Sequence, residues 1–207
     1  SDDYIIYDRS PQKRLGVYYY ESGAYPRKSS VIYDRANSSF CSLSLDELPE
    51  DIYAKTKIFH ISSITLALDP SLKETAIKMI HKFHEAGAYI SFDVNYRASL
   101  WSEEEAKKTV EAIFPYVDFL FVSEETSRRM LQRTGTLEEI MKGYADTYGC
   151  TLIATTRREA VSPTHHNFNS KIYMNGNFYE EEPYNNIEVI DRIGSGDAYR
   201  AGVLYGL

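Results

Sequence analysis

The spacing of hydrophobic and polar positions changes character near residue 45. Before it, apolar and aromatic residues gather in short β-rich runs: Tyr4-Ile5-Ile6-Tyr7, Leu15 to Tyr20 and Ser30 to Tyr33. Polar turns separate them at Arg9-Ser10-Pro11 and Ser22-Gly23-Ala24. This pattern predicts a small antiparallel sheet. From about Leu45, short apolar runs alternate with stretches of helical period. Ile58-Phe59-His60-Ile61 predicts a strand. Asp69-Pro70 then supplies an N-cap and a first helical position. Leu72, Ala76, Ile80 and Phe83 share one helical face, and Gly87 ends the helix. Tyr89 to Phe92 predicts the next strand. Ser102 with Glu105 forms a capping box that opens a helix to about Phe114. Val117 to Val122 predicts a strand, Glu124 to Gln132 and Leu137 to Tyr148 predict helices, and Thr151 to Thr155 predicts another strand. Asn175-Gly176 marks a hairpin inside Lys171 to Tyr179. Gly196 to Leu207 starts a helix of small residues.

Strands that alternate with helices imply an α/β fold, with a parallel sheet covered on both faces. Ligands bind such sheets at the carboxyl ends of the strands, so the strand-to-helix junctions are the places to search. The 207 residues, 43% of them hydrophobic, suffice for one globular domain with or without a small appendage. A net charge of −7 removes the basic footprint that sequence-independent nucleic-acid binding requires. No window approaches 18 consecutive apolar residues, and no secretion signal opens the chain. Cys41 and Cys150 form no CxxC pair, which suits a reducing compartment and excludes a zinc ribbon. The chain starts Ser1-Asp2-Asp3 without Met and stops inside an apolar run, as expected of a piece of a longer protein.

Three segments carry candidate chemistry. In Asp191-Arg192-Ile193-Gly194-Ser195-Gly196-Asp197-Ala198, two glycines flank a serine just before a helix. Glycine permits a tight turn and close approach of a ligand to the backbone, and the unpartnered first amides of a helix make an anion site suited to a phosphoryl group. Asp197, in the first turn, is placed to take a proton from an attacking hydroxyl; the run also reads as a glycine-rich cap with an ordinary first-turn acid. In Ser91-Phe92-Asp93-Val94-Asn95-Tyr96-Arg97, the alternate residues Asp93, Asn95 and Arg97 share a face if the extended path continues. Arg97 suits a phosphate or carboxylate, or is a solvated loop residue. In Val31-Ile32-Tyr33-Asp34-Arg35, Tyr33 and Arg35 face one side of a strand and suit a hydroxylated, acidic small molecule, or decorate an exposed edge.

Other features are weaker. His81 and His84 lie three apart on a helix without an acidic partner, His165-His166 reads as part of a polar loop, and Arg157-Arg158 suits nucleotide phosphates or solvent equally. No GxxxxGK[ST], HExxH or GxSxG motif occurs.

Together these segments resemble the ribokinase-like (PfkB-type) sugar kinases, and within them the 2-keto-3-deoxygluconate branch, over nearly the whole chain. Asp191 to Gly202, DRIGSGDAYRAG, is similar to the family signature DTTGAGDAFxAG. SFDVNYRASLW, the GxYxxE run from Gly16 to Glu21 and the YDR segment from Tyr33 to Arg35 are similar to stretches of that branch. The resemblance implies an α/β sandwich with a mainly parallel central sheet flanked by helices, plus a small β lid. It places a β-rich lid with connecting strands at residues 1–42 and an incomplete core that binds nucleotide and sugar at 43–207.

The function it implies is ATP-dependent transfer of a phosphoryl group to the primary hydroxyl of 2-keto-3-deoxygluconate. Asp197 would be the base, and Gly194, Ser195 and Gly196 the anion hole. Tyr18, Tyr33, Arg35 and Arg97 would hold the sugar acid. Asn95, Ser123, Thr155, Thr156 and Arg157, with Arg158, would lie near the nucleotide. Mg²⁺ is implied beside ATP, with no residue assigned as its ligand. A homodimer or higher oligomer through the lid, cytoplasmic location and no nucleic-acid or membrane partner complete the expectation. The sequence departs from the family in three ways. Ser123 to Thr126 stands where NxxE is expected, Thr156-Arg157-Arg158-Glu159 stands where GxxG is expected, and the N-terminal Gly-Gly segment and C-terminal helices have no counterpart. Kinases of another sugar, such as fructose or ribose, and a non-catalytic module that binds a sugar acid or nucleotide are the alternatives.

Overall fold

A computed structural model describes residues 4–21, 23, 27, 29–162, 164–190 and 193–207. Strands β1 (Val17–Glu21) and β2 (Ser30–Asp34) pair antiparallel, with Tyr18 opposite Tyr33 and Tyr19 opposite Ile32. They form a two-stranded sheet separate from the main one. Ser22 and Ala24, of the expected turn between them, lie outside the described residues. Tyr4 to Tyr7 form no strand, contrary to expectation: residues 5–10 hold no regular element, and Ile5 and Tyr7 are exposed. A β-rich run becomes a strand only when a neighbour supplies its hydrogen bonds, and no described strand pairs with this one.

The main body runs α1 (Asp51–Lys55), β3 (Ile58–Ser62), α2 (Ser63–Leu68), α3 (Pro70–Glu85), β4 (Tyr89–Asp93), α4 (Glu103–Ile113), β5 (Phe119–Phe121), α5 (Glu124–Arg129), α6 (Leu137–Tyr148), β6 (Leu152–Ala160), β7 (His165–Met174), β8 (Asn177–Glu180), β9 (Tyr184–Glu188) and α7 (Ser195–Tyr205). The sheet order is β3-β4-β5-β6-β7-β8, with β9 also on β7. Strands β3 to β6 are parallel, and β7, β8 and β9 add antiparallel.

Local sequence explains most helix ends. Asp69 Oδ1 accepts from the amides of Ser71 and Leu72, with Pro70 at the first position of α3. Ser102 Oγ accepts from the Glu105 amide at 3.1 Å, but Glu105 turns its carboxylate to Lys73 at 3.3 Å, so this cap is one-sided. Thr136 and Glu139 form a complete capping box for α6. Helix α5 stops at Arg129, short of the expected Gln132, where the amides of Met130 and Leu131 both reach the Thr126 carbonyl.

Parallel strands in sequence order, joined by right-handed crossovers, put their connecting helices on one face. That face holds the main core. Ile90 and Phe92 of β4, Leu120 and Ile153 pack with Ile80 and Phe83 of α3, Val110 of α4 and Tyr144 of α6. The other face is also covered, as expected. There, among the described residues, Phe119, Phe121, Leu152 and Ala154 pack against Tyr199, Val203 and Leu204 of the single helix α7. Two expectations about the strands are corrected. The strand predicted to end at Thr155 runs on to Ala160, because β7 pairs along its whole length, and His165-His166 opens β7 rather than lying in a solvated loop. His166 is consequently buried. His81 and His84 both pack on the Tyr116 ring. Among the described residues, no helix is long and apolar enough to cross a membrane.

Phe83 is 2% exposed, stacks on Phe59 at 4.2 Å and meets Tyr53 at 4.8 Å. Truncating it leaves a cavity between α3 and the sheet. Phe83→Ala is expected to lower the unfolding free energy by about 3–5 kcal/mol, measured by urea denaturation.

Candidate active site

A cleft of about 1120 Å³ opens at the carboxyl ends of β3 to β6, bounded by the β1/β2 sheet and the start of α7. It draws residues from segments remote in sequence. From the small sheet come Tyr18 and Tyr33, on opposed positions of the ladder with rings 6.2 Å apart, and Arg35, whose guanidinium lies 4.2 Å from the Tyr33 ring centre. From the end of β4 come Asp93, Asn95 and Arg97; the Asn95 amide turns back to the Asp93 carbonyl at 3.0 Å. From the end of β5 comes Ser123, and from β6 come Thr156 and Arg158.

Two expected nucleotide residues are not brought in. Side chains alternate along β6, so Ala154, Thr156 and Arg158 line the cleft while Thr155 and Arg157 do not. Thr155 is buried with its hydroxyl lacking a hydrogen-bond partner, and Arg157 is exposed. Ser123 lines the cleft but is engaged locally. Its Oγ caps α5 by accepting from the Thr126 amide at 3.1 Å, and it donates to Thr126 Oγ1 at 2.9 Å. The run expected to depart from NxxE thus closes on itself as a helix cap.

The glycine-rich turn builds the floor. Gly194 sits at the N-cap of α7 with φ of 74°, a left-handed conformation that side-chain-bearing residues rarely adopt. The first intrahelical bond runs from the Ala198 amide to the Gly194 carbonyl at 2.8 Å. The amides before it have no partner within the helix and form the positive end of its dipole. Gly194, Ser195, Gly196 and Asp197 all line the cleft. Asp191 and Arg192, which open the motif, lie outside the described residues.

Sequence reasoning missed the charge network under this turn. Arg200, one turn after Asp197, is mostly buried. Its Nη2 donates to Asp197 Oδ1, and its Nη1 lies 3.3 Å from Asp93 Oδ2. The second contact is an ion pair without hydrogen-bond alignment, since Asp93 Oδ2 is buried and lacks a hydrogen-bond partner. Burial pushes the Asp93 carboxyl up to about 6 against the opposing pull of Arg200, and the nearby Asp197 adds to the rise. His60, also in the cleft, places Nδ1 2.8 Å from Ser91 Oγ; burial, then Arg200, lower its pKa. The three-residue spacing of Asp197 and Arg200 on a helix was a usable signal. Nothing local signals His60, which meets Ser91 only through the β3/β4 register.

The arrangement can hold an anion on the α7 amides, place a carboxylate beside it, and present aromatic rings and guanidinium groups to a polar, acidic molecule. Among the described residues, no group of three or more His, Cys, Asp or Glu is arranged to hold a metal ion.

Comparison with known proteins is consistent with that chemistry. The model of the family described as "pfkB family carbohydrate kinase" matches residues 5–207. A 2-dehydro-3-deoxygalactonokinase of Haloferax volcanii is 34% identical over 198 residues, which are 96% of this chain and 59% of that protein. The crystal structure of a PfkB family carbohydrate kinase from Listeria grayi superimposes with a TM-score of 0.86 at 34% identity, covering 94% of this chain and 62% of that one. That of a 2-dehydro-3-deoxygluconokinase from Thermotoga maritima superimposes at 0.84 and 32% identity, covering 94% and 61%. The chain thus spans about three fifths of the length of these relatives.

The raised pKa of Asp93 makes a signed prediction. A carboxyl whose folded pKa is about 6, above the ordinary 3.8, contributes stability that is full below 3.8 and lost as pH rises through 6. Replacing Asp93 by Asn removes that dependence. Relative to Asp93→Asn, the parent is expected to lose roughly 3 kcal/mol of unfolding free energy as pH rises through this window, read by urea denaturation at each pH. A pH-independent difference between the two would contradict the assignment.

Proposed function

The chain belongs to the pfkB family of carbohydrate kinases, and from that premise we propose that it phosphorylates the primary hydroxyl of a 2-keto-3-deoxy sugar acid, 2-keto-3-deoxygluconate first, with ATP as donor. One observation carries this reading. The Asp197 carboxylate stands at the amide-lined start of α7, on the same cleft as Tyr18, Tyr33, Arg35 and Arg97. Relatives named for 2-keto-3-deoxy sugar acids support the choice of substrate class.

In this reading Asp197 accepts the proton of the attacking hydroxyl. The hydroxyl oxygen bonds to the γ-phosphorus as the bond to the ADP oxygen breaks. The amides at Gly194, Ser195 and Gly196 hold the charge on the transferring group, and catalysis is mainly positioning and charge neutralisation. Arg35, backed by the Tyr33 ring, and Arg97 take the sugar carboxylate. Thr156 and Arg158, rather than Thr155 and Arg157, face the nucleotide. Mg²⁺ in such sites is held largely by phosphate oxygens and water, with one or two carboxylates. That demand fits a cleft lined by the acids Asp93, Glu125 and Asp197, of which Asp93 is buried with its Oδ2 lacking a hydrogen-bond partner; when bound, the ion would neutralise phosphate charge.

Residues 1–42 serve as the lid and 43–207 as the core that binds sugar and nucleotide. The exposed pair Tyr19 and Ile32 on the lid suits pairing of two copies there. The two buried free thiols, Cys41 and Cys150, suit a reducing, cytoplasmic setting.

The test is ATP consumption with Mg²⁺ against 2-keto-3-deoxygluconate, 2-keto-3-deoxygalactonate, gluconate, fructose and ribose. Turnover selective for the keto-deoxy acids is expected; selectivity for a neutral sugar would overturn the substrate assignment. Asp197→Asn is expected to cut kcat at least ~100-fold while sugar binding, measured by calorimetry, persists. Arg35→Ala is expected to raise KM for the sugar acid about tenfold or more, the scale of a lost charge-assisted hydrogen bond, and to change KM for a neutral sugar little.

A further inference from the structure

The first turn of α7 holds a contact that the phosphoryl-transfer reading leaves without a task. The Asp197 side chain is 78% exposed, and the hydrogen bond from Arg200 Nη2 is the one it receives from a described side chain. Left to itself, an exposed aspartate samples several rotamers and points into the cleft only part of the time. Arg200 differs in character. Its side chain is 15% exposed, and its guanidinium is held from the far side by the buried carboxyl of Asp93, on a different element and 3.3 Å away. Asp93 is in turn fixed by the sheet, its backbone paired with Ser62 of β3 and Phe121 of β5.

The glycine at 196 belongs to the same device. A Cβ there would stand 3.1 Å from Arg200 Nη1 and 3.4 Å from Nη2, tighter than an ordinary contact. Glycine thus lets the guanidinium lie flat against the first turn of the helix and reach both acids at once. A rigid strand end, a planar fork of donors and a mobile acid are thereby joined in series. Arginine suits the middle place because its fixed geometry can address two carboxylates, which the point charge of lysine does less well.

We propose that Arg200 is a positioning residue: anchored on Asp93, it holds the Asp197 carboxylate in one orientation over the amide-lined start of α7. This rests on the reading of Asp197 as the proton acceptor. Arg200 touches no reacting atom in this role. It acts by restricting where the acceptor oxygen stands, and displacing such a group by about 1 Å can cost on the order of 100-fold in rate.

Two measurements on the full chain separate this proposal from the reading beneath it. The first needs no turnover. Three-bond couplings from the Asp197 carboxyl carbon report its χ1, which is expected to be a single rotamer in the parent and averaged in both Arg200→Gln and Asp93→Asn, with Arg200→Lys intermediate. An unaltered χ1 in folded Arg200→Gln, with Asp93→Asn as the second variant should the first fail to fold, would overturn the proposal. The second is kinetic. Arg200→Gln is expected to lower kcat by about 10- to 100-fold with KM for sugar and ATP within about twofold, and Arg200→Lys to recover part of the loss. A rise in KM for ATP with kcat kept would assign Arg200 to phosphate binding and overturn positioning. If the parent phosphorylates no sugar while the rotamer averaging is seen, the positioning contact stands and the kinase reading falls.

Discussion

A carboxyl group buried at the end of a parallel strand is the constraint around which this site is organised. Asp93 sits where β4 stops, 7% exposed at its side chain, and taking a charge out of water there is costly. The compensation comes from Arg200, which is delivered by a helix more than a hundred residues later. That pairing places the start of α7 against the carboxyl end of the sheet. The glycine-rich turn, its amides and Asp197 follow from it. Tyr199, Val203 and Leu204 then settle on Phe119, Phe121, Leu152 and Ala154, so the polar anchor and the apolar footing of the helix agree.

The opposite wall of the cleft is built by different physics. The β1/β2 ribbon has two strands and exposes much of its aromatic surface, so it gains little from burial. What it contributes is orientation. The antiparallel register sets Tyr18 against Tyr33, and the stacked Arg35 holds a positive charge over a ring. Arg14 ties the ribbon to the following loop by pairing with Asp34 and donating to the Ala36 carbonyl. A sparsely buried element carrying polar groups suits the lid role proposed for it. Under the proposed reading, that division of labour has a chemical purpose, in which one wall would bind the acceptor and the other would handle the phosphoryl group.

Much was legible in the residues themselves. Strand and helix alternation, the Asp69-Pro70 cap, the face of Leu72, Ala76, Ile80 and Phe83, and the glycine-rich turn are local patterns governed by local sterics and hydrogen bonding, and each lies where its pattern put it. The failures share a cause. Tyr4 to Tyr7 have strand propensity but no described partner strand. Thr155 and Arg157 lie one residue from the cleft positions Thr156 and Arg158, and a strand of period two turns them away. His165-His166 looked solvent-facing until β6 and β7 paired over their full length.

The sequence by itself determined many of the parts: most of the parallel strands and the longer helices, that Gly194 can take a left-handed turn, and that Asp197 falls in the first turn of a helix whose opening amides lack intrahelical partners. These depend on interactions within a few residues. Only the tertiary structure decided that Asp93, His60 and Arg200 meet, that α7 is the helix on the second sheet face among the described residues, and which side of β6 looks into the cleft. Strand order, crossover handedness and register set those outcomes, and they act between segments that composition and spacing cannot bring together. Burial then does what no linear pattern can, turning an ordinary aspartate in a polar run into a carboxyl raised to about 6 with an arginine held against it.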